Sequence, residues 1–523
     1  MGETRRMVFP QGLVQAGGRR QEEMKMTPND YDVLVVGAGL SGIGAGVHLS
    51  KLCPQKRYAV LEGRQRLGGT WDLFRYPGVR SDSDMYTLGY PFRPWNDRKS
   101  ISSGSSILKY IEDTAREYGI DNHILYEHNA LRASWSSEEA RWTVEVAVGP
   151  EKTIERYSCN FLYMCSGYYS YKAGYLPEFP GLDQFQGTFI HPQQWPDNMD
   201  YAGKRVIVIG SGATAITIVP AMAEQGAQVT MLQRTPTYCI AFPEVDPVAR
   251  ALHAVLPERA AASINRLKNI WLATLFFQAS RRFPKLVRKG LLAHVRRQLR
   301  GACDVDKHFN PPYNPWDQRL CLVANGDLFK AIRADKVRMV TDHIETFTEK
   351  GIKLRSGEEL EADIIISATG LDLVPMGEMS FTVDGQPVVL NQVMTYKGMM
   401  LEDVPNMAQA IGYTNASWTL KCELTSQYVC RLLNYMDQHG YQYCMPHNND
   451  PAVVAEPFLD FSSGYIQRAL ERFPKMGSKA PWKLYQNYVL DLLSLRYAPV
   501  TDKAMAFSRA KTQEKQLTLS SAA

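Results

Sequence analysis

What the chain lacks narrows its class before any motif is read. No apolar run approaches the ~20 residues needed to cross a bilayer; the longest, Ile270 to Phe277, lies mid-chain. The nine cysteines are scattered and include no Cys-x-x-Cys pair, so neither a disulfide framework nor a metal site is indicated. A reducing cytoplasm is the expected setting. A net charge of +5 over 523 residues is too small to argue for nucleic acid, and no DNA- or RNA-binding module is present. Hydrophobic residues make up 45% and charged ones 22%, ordinary for a globular chain long enough for two or three domains. Residues 1–28 show no helix or strand period and no signal-peptide core, and 510–523 are polar. Both are expected to be flexible tails.

Two stretches read as a buried strand running into glycines. Tyr31-Asp32-Val33-Leu34-Val35-Val36 ends in Gly37-Ala38-Gly39-Leu40-Ser41-Gly42. A helix-compatible segment continues to Leu52, and a second strand, Tyr58 to Leu61, ends in Glu62. Strand, glycines, helix, strand and acid in that order are the dinucleotide fingerprint: glycines let the backbone approach a pyrophosphate at a helix N-terminus, and the acid takes ribose hydroxyls. Later, Arg205 to Ile209 runs into Gly210-Ser211-Gly212-Ala213-Thr214-Ala215, with Ala215 in place of the third glycine. Its partner strand, Val229 to Leu232, ends in Gln233-Arg234-Thr235, not in an acid. An acid there would repel a 2′-phosphate, whereas a guanidinium clamps one, so the second nucleotide is expected to be NADP. The fold class is α/β, with two Rossmann-like domains.

Between and beyond these motifs lie four other distinctive segments. Gly68-Gly69-Thr70-Trp71 suits a backbone passing close to a flat cofactor, or else an ordinary turn. Ser81-Asp82-Ser83-Asp84 reads alone as a solvated turn or a helix cap. From about Val245 to Asn310 the pattern is helical, and between Arg259 and Arg300 eleven Lys or Arg residues occur with no Asp or Glu. Such a basic amphipathic insertion can lie on an anionic membrane surface; the commoner arrangement packs its apolar face on the cofactor domains. Tyr313-Asn314-Pro315-Trp316-Asp317-Gln318-Arg319 places an arginine beside Asp317, where a surface ion pair is the usual reading.

The stretch between the two glycine motifs, Phe185-Gln-Gly187-Thr-Phe-Ile-His191-Pro-Gln-Gln-Trp195-Pro196, resembles the fingerprint of type I Baeyer-Villiger monooxygenases at every fixed position. Trp195 favours these ketone oxidisers over the sister flavin-containing monooxygenases, which usually carry Tyr or Phe there. Tyr76 to Asp84, the segment with Gln318, and Gly412 to Trp418 are most similar to the ethionamide-activating branch, and the likeness runs from residue 31 to about 500. The resemblance implies FAD on the first motif and NADPH on the second. It implies a flavin peroxide that converts ketones to esters or lactones, with sulfides also oxidised. By resemblance Arg319 is the catalytic arginine and Asp82 the carboxylate paired with it. Gly69, Thr70 and Trp71 border the flavin by resemblance, Phe185, Gly187, His191, Trp195 and Pro196 form the linker fingerprint, and His191 and Trp195 couple rotation of the NADP domain to the flavin. Gln318 departs from the family, where many relatives carry a lysine that helps hold the 2′-phosphate, which leaves Arg234 with more of that task.

The expected organisation is an FAD domain of residues 29–168 and 371–509 and a connection at 169–184. The linker spans 185–196, the NADP domain 197–244 and 311–370, and the helical insertion 245–310. Substrate and dioxygen are the expected partners. Three rivals share parts of this pattern. A heteroatom monooxygenase would use the same cofactors. A pyridine nucleotide disulfide oxidoreductase needs a cysteine pair near the first motif, where only Cys53 lies close. A non-catalytic flavoprotein could bind a partner through the basic insertion.

Overall fold

A computed structural model describes residues 28–458 and 463–509; the expected terminal tails lie almost wholly outside them. Two sheets organise the chain. In the first, Ile124–Tyr126, Tyr58–Glu62, Asp30–Val36 and Thr153–Met164 run parallel, and the antiparallel strands Arg141–Val148 and His128–Ser136 extend the edge. The C-terminal part of the chain returns to this sheet through Ser380–Val383 and Met407–Gln409. Val33, Leu34 and Val35 are wholly buried, as a parallel strand covered on both faces requires. Helices Leu40–Leu52 and Trp418–His439 pack together on one side, tied by a 2.7 Å hydrogen bond between His48 and Glu423.

The second sheet is wholly parallel, in the order Val337–Thr341, Gln228–Gln233, Arg205–Ile209, Ile364–Ser367 and Thr188–Ile190. Part of the Phe185 to Pro196 stretch is therefore built into the edge of this sheet. The two glycine motifs are related by the same steric device. Gly37 has φ +105° and a Cβ there would lie 2.6 Å from the Cys165 carbonyl oxygen; Gly210 has φ +140° and would meet that of Ala368 at 2.3 Å. Only glycine satisfies both the positive φ and the approach.

Helices Pro247–Val255, Glu258–Arg282, Pro284–Leu299 and Val305–His308 form the insertion. The expectation that its apolar face packs inward is corrected for the long helix: Ala261, Ala262, Asn265, Ile270 and Ser280 are buried, while Ile264, Leu267, Trp271, Leu272 and Leu275 are exposed. Its inner contacts are mixed: Ile270 packs on Tyr413 and Leu420 and Phe277 on Trp316, alongside polar ones. Arg266 donates to the carbonyls of Tyr86, Thr87 and Gly89, and Asn269 to the Asp84 carboxylate at 2.8 Å. Among the described residues no helix is long and apolar enough to cross a membrane.

Candidate active site

One cavity of about 1260 Å³ runs between the two sheets and is lined by both glycine motifs. At its first-sheet end Glu62 is buried and accepts from the backbone N–H groups of Ala38, at 2.9 Å, and Arg64, at 3.0 Å. Burial raises its pKa, against those two hydrogen bonds. Gly39 and Gly69 face one another so closely that a Cβ on Gly69 would come within 3.1 Å of Gly39 Cα. Gly37, Gly39, Gly69, Thr70 and Trp71 line the cavity. Gly42 does not; a Cβ there would collide with the Gly37 carbonyl at 1.8 Å, so it serves packing of helix on strand. A narrow channel floored by backbone and closed by a carboxylate fits a dinucleotide with its ribose at Glu62.

At the second-sheet end, Gly210, Gly212, Thr214, Arg234 and Thr235 line the same cavity. The Thr235 carbonyl accepts from Ser211 Oγ at 2.9 Å, which holds the glycine turn against the end of the neighbouring strand. Arg234 is exposed and, among the described residues, has no ion pair. Asp342, on the next strand end, also lines the cavity, but its carboxylate accepts from the N–H groups of His343 and Ser356. An unpaired guanidinium at a strand end beside a glycine turn fits a phosphorylated ribose.

Between these ends the structure joins residues from distant parts of the chain. Arg319 Nη2 lies 2.7 Å from Asp82 Oδ2, and both side chains are partly exposed to the cavity. The Asp82 carboxylate raises the Arg319 pKa, with Tyr168, Tyr465 and Tyr169 adding to it against the opposing effect of burial. The guanidinium therefore stays charged at every accessible pH. The sequence neighbour is not its partner: Asp317 pairs with Arg281 at 3.1 Å. Asp84, not Asp82, is the helix cap, accepting from the Thr87 N–H at 2.9 Å.

Aromatic side chains wall this pair. Tyr168 stacks on Trp418 with centroids 4.7 Å apart and shares a 2.8 Å hydrogen bond with Tyr169; the Trp418 indole donates to Ser41 Oγ at 2.9 Å. Burial raises the Tyr168 pKa, and Arg319 works against it. Tyr465 also lines the cavity, and burial pushes its pKa up to about 12. Both tyrosines thus remain protonated donors near neutral pH. Sequence reasoning missed Tyr168 and Tyr169; adjacent tyrosines just past the Ser166-Gly167 turn that follows a buried strand were the available signal. Arg468 carries none: it lines the cavity with its guanidinium 3.4 Å from the Tyr175 ring centroid. Its pKa is lowered first by burial and then by the charge of Arg234, against Tyr175 and Asp372.

Phe185, Gly187, His191, Trp195 and Pro196 do not line the cavity. His191 Nδ1 accepts from the Gln193 N–H at 3.2 Å and Nε2 lies 3.1 Å from the Gly370 carbonyl, which places the proton on Nε2. Gly370 belongs to Ala368-Thr369-Gly370, where the chain leaves the second sheet. Trp195 packs edge-on against Tyr201 and Phe185 against Phe347. A second crossing is made by Tyr76 to Arg80. A Cβ on Gly78 would meet Ala221 Cβ at 2.8 Å on the helix Ala213–Glu224, and Arg80 pairs with Asp327.

Comparisons with known proteins agree with this architecture. The model for flavin-binding monooxygenase-like proteins matches residues 82–266, and that for NAD(P)-binding Rossmann-like domains matches 35–97. The FAD-containing monooxygenase EthA of Mycolicibacterium smegmatis is 54% identical over 92% of this chain and 97% of its own length. Cyclohexanone monooxygenase in its open crystal form superposes with a TM-score of 0.69 at 20% identity, covering 92% of this chain and 100% of that one. Oxidised steroid monooxygenase bound to NADP gives 0.68 at 22% identity, with coverage of 92% and 100%.

Proposed function

The chain belongs to the FAD-containing monooxygenase family that includes EthA, and from that premise we propose that it is a Baeyer-Villiger enzyme that uses NADPH and dioxygen to convert ketones to esters or lactones, with sulfides as a second substrate class. The observation that carries this reading is the 2.7 Å pair of Arg319 and Asp82, set in one cavity between two dinucleotide cradles. When bound, FAD reduced by NADPH would activate dioxygen for transfer of one oxygen atom.

The chain's own residues supply position and charge. Glu62 takes the ribose hydroxyls of FAD; Gly39 and Gly69 admit its pyrophosphate and ring. Arg234 and Thr235 take the 2′-phosphate of NADPH. Arg319 presents a permanent positive charge where negative charge develops on the substrate carbonyl oxygen, and Asp82 orients it. Tyr168, Tyr169 and Trp418 narrow the space around the pair and exclude water, which strengthens its field.

Aerobic incubation of the FAD-loaded enzyme with NADPH and a panel of linear and cyclic ketones and one thioether, read by mass spectrometry, tests this reading. An ester or lactone one oxygen heavier than its ketone is expected. Arg319→Ala is expected to retain FAD and to lose on the order of 10²- to 10³-fold in oxygenation rate. Sulfoxide as the sole product, or a fully active variant, would overturn it.

A further inference from the structure

The long insertion helix Glu258–Arg282 turns its apolar stripe away from the protein. Ile264, Leu267, Trp271 and Leu275 recur at helical spacing on one face, and all are exposed, Trp271 to 47% and Leu275 to 59%. Phe283 and, at 70% exposed, Leu286 carry the stripe onto the next helix, Pro284–Leu299. A run of large exposed apolar side chains on two consecutive helices marks an interaction surface. Its surroundings are predominantly basic, although Asp246, Asp317 and Asp306 pair with Lys268, Arg281 and Arg296. Arg259, Arg282, Lys285 and Lys289 are exposed, and from 259 to 300 there is no acidic residue.

We propose that this face docks the enzyme on the anionic surface of a lipid bilayer. The charge distribution selects that occupant. A second copy would bring two rims with an excess of positive charge together, whereas anionic headgroups complement that excess while the acyl boundary takes Trp271 and the leucines. The 25-residue helix lies along such a surface. Its inner face holds the segment from Asp84 to Gly89 through Arg266 and Asn269, so the docked helix touches the chain two residues from Asp82. The inference does not depend on which substrate the cavity oxidises.

Flotation of the full-length, FAD-loaded protein with phosphatidylcholine vesicles, with and without phosphatidylglycerol, tests it. Binding is expected to the phosphatidylglycerol vesicles alone and to fall at least several-fold in ~0.5 M salt. Leu267→Asp/Leu275→Asp is expected to weaken it more than ~10-fold with FAD content and melting temperature unchanged, because both positions face solvent. Arg282→Glu/Lys285→Glu should weaken it without touching the apolar stripe. No binding to phosphatidylglycerol vesicles, or both variants binding like the parent, overturns the proposal. So does a dimer that Leu267→Asp/Leu275→Asp converts to monomer in the absence of vesicle binding, which would assign the face to a second copy.

Discussion

Arg234 stands where an acid would be expected in an NAD site, and the cavity adds a second cation, Arg468, from a far later segment. With Gln318 uncharged, we propose that these two recognise the 2′-phosphate. Arg234→Ala is expected to raise KM for NADPH roughly tenfold to a hundredfold, and that for NADH far less, as removal of a charge-assisted hydrogen bond predicts. Arg468→Ala should weaken binding of 2′,5′-ADP, measured by calorimetry, and leave 5′-AMP unaffected; equal effects on both would remove it from the phosphate. At the linker, burial holds the His191 pKa below the usual 6.5. The unfolded chain therefore takes up this proton first, so the contribution of His191 to stability is complete above that value and declines as pH falls below it. The protection factor of the Gln193 amide, whose hydrogen bond ends on Nδ1, should fall over the same range, and His191→Asn should abolish the pH step.

The elements divide the work. Parallel strands buried on both faces deliver glycine turns to one edge, while the long insertion helix delivers Arg266 and Asn269 inward and leaves Leu267, Trp271 and Leu275 outside. Arg266 is the most exacting of the inward contacts, because three carbonyls converge on it and burial lowers its pKa, against nearby Tyr488, Glu423, Asp84 and Tyr110. Arg266→Met keeps the length and removes the donors; leaving buried acceptors unpaired is expected to cost about 2–4 kcal/mol. Denaturant unfolding measures the loss. Retention of FAD by the variant would show whether the helix also holds the segment beside Asp82, since Asn269 reaches Asp84 from the same face.

At the scale of the molecule, the two nucleotide units interlock at Gly78 against the helix Ala213–Glu224 and at Arg80 with Asp327. Contacts this close couple unfolding of one unit to the other. NADP at about 100-fold its Kd is expected to stabilise the protein by roughly 2.7 kcal/mol. Because the units are coupled, flavin release on heating should shift upward with the NADP-stabilised transition. Two separate transitions, with flavin release unmoved by NADP, would mean that the units unfold independently.

What the sequence alone determined is the part written in local pattern. The strand-glycine-helix units, the acid at Glu62, the guanidinium at Arg234 and the helical character of the insertion are all set by neighbours within a few tens of residues, and periodicity and backbone sterics suffice to read them. Pairings across the chain were decided only by the tertiary structure. Asp317 adjoins Arg319 in sequence, yet Arg319 meets Asp82 and Asp317 meets Arg281. Ser81 to Asp84 offered two carboxylates with no local means of telling cap from partner. The insertion helix shows an amphipathic pattern whose direction depends on what it packs against; its polar side found the carbonyls of Tyr86 to Gly89, and the leucines were left outside. Charge pairing and helix orientation depend on distance through space, and a sequence records that only once the two sheets have brought the segments together.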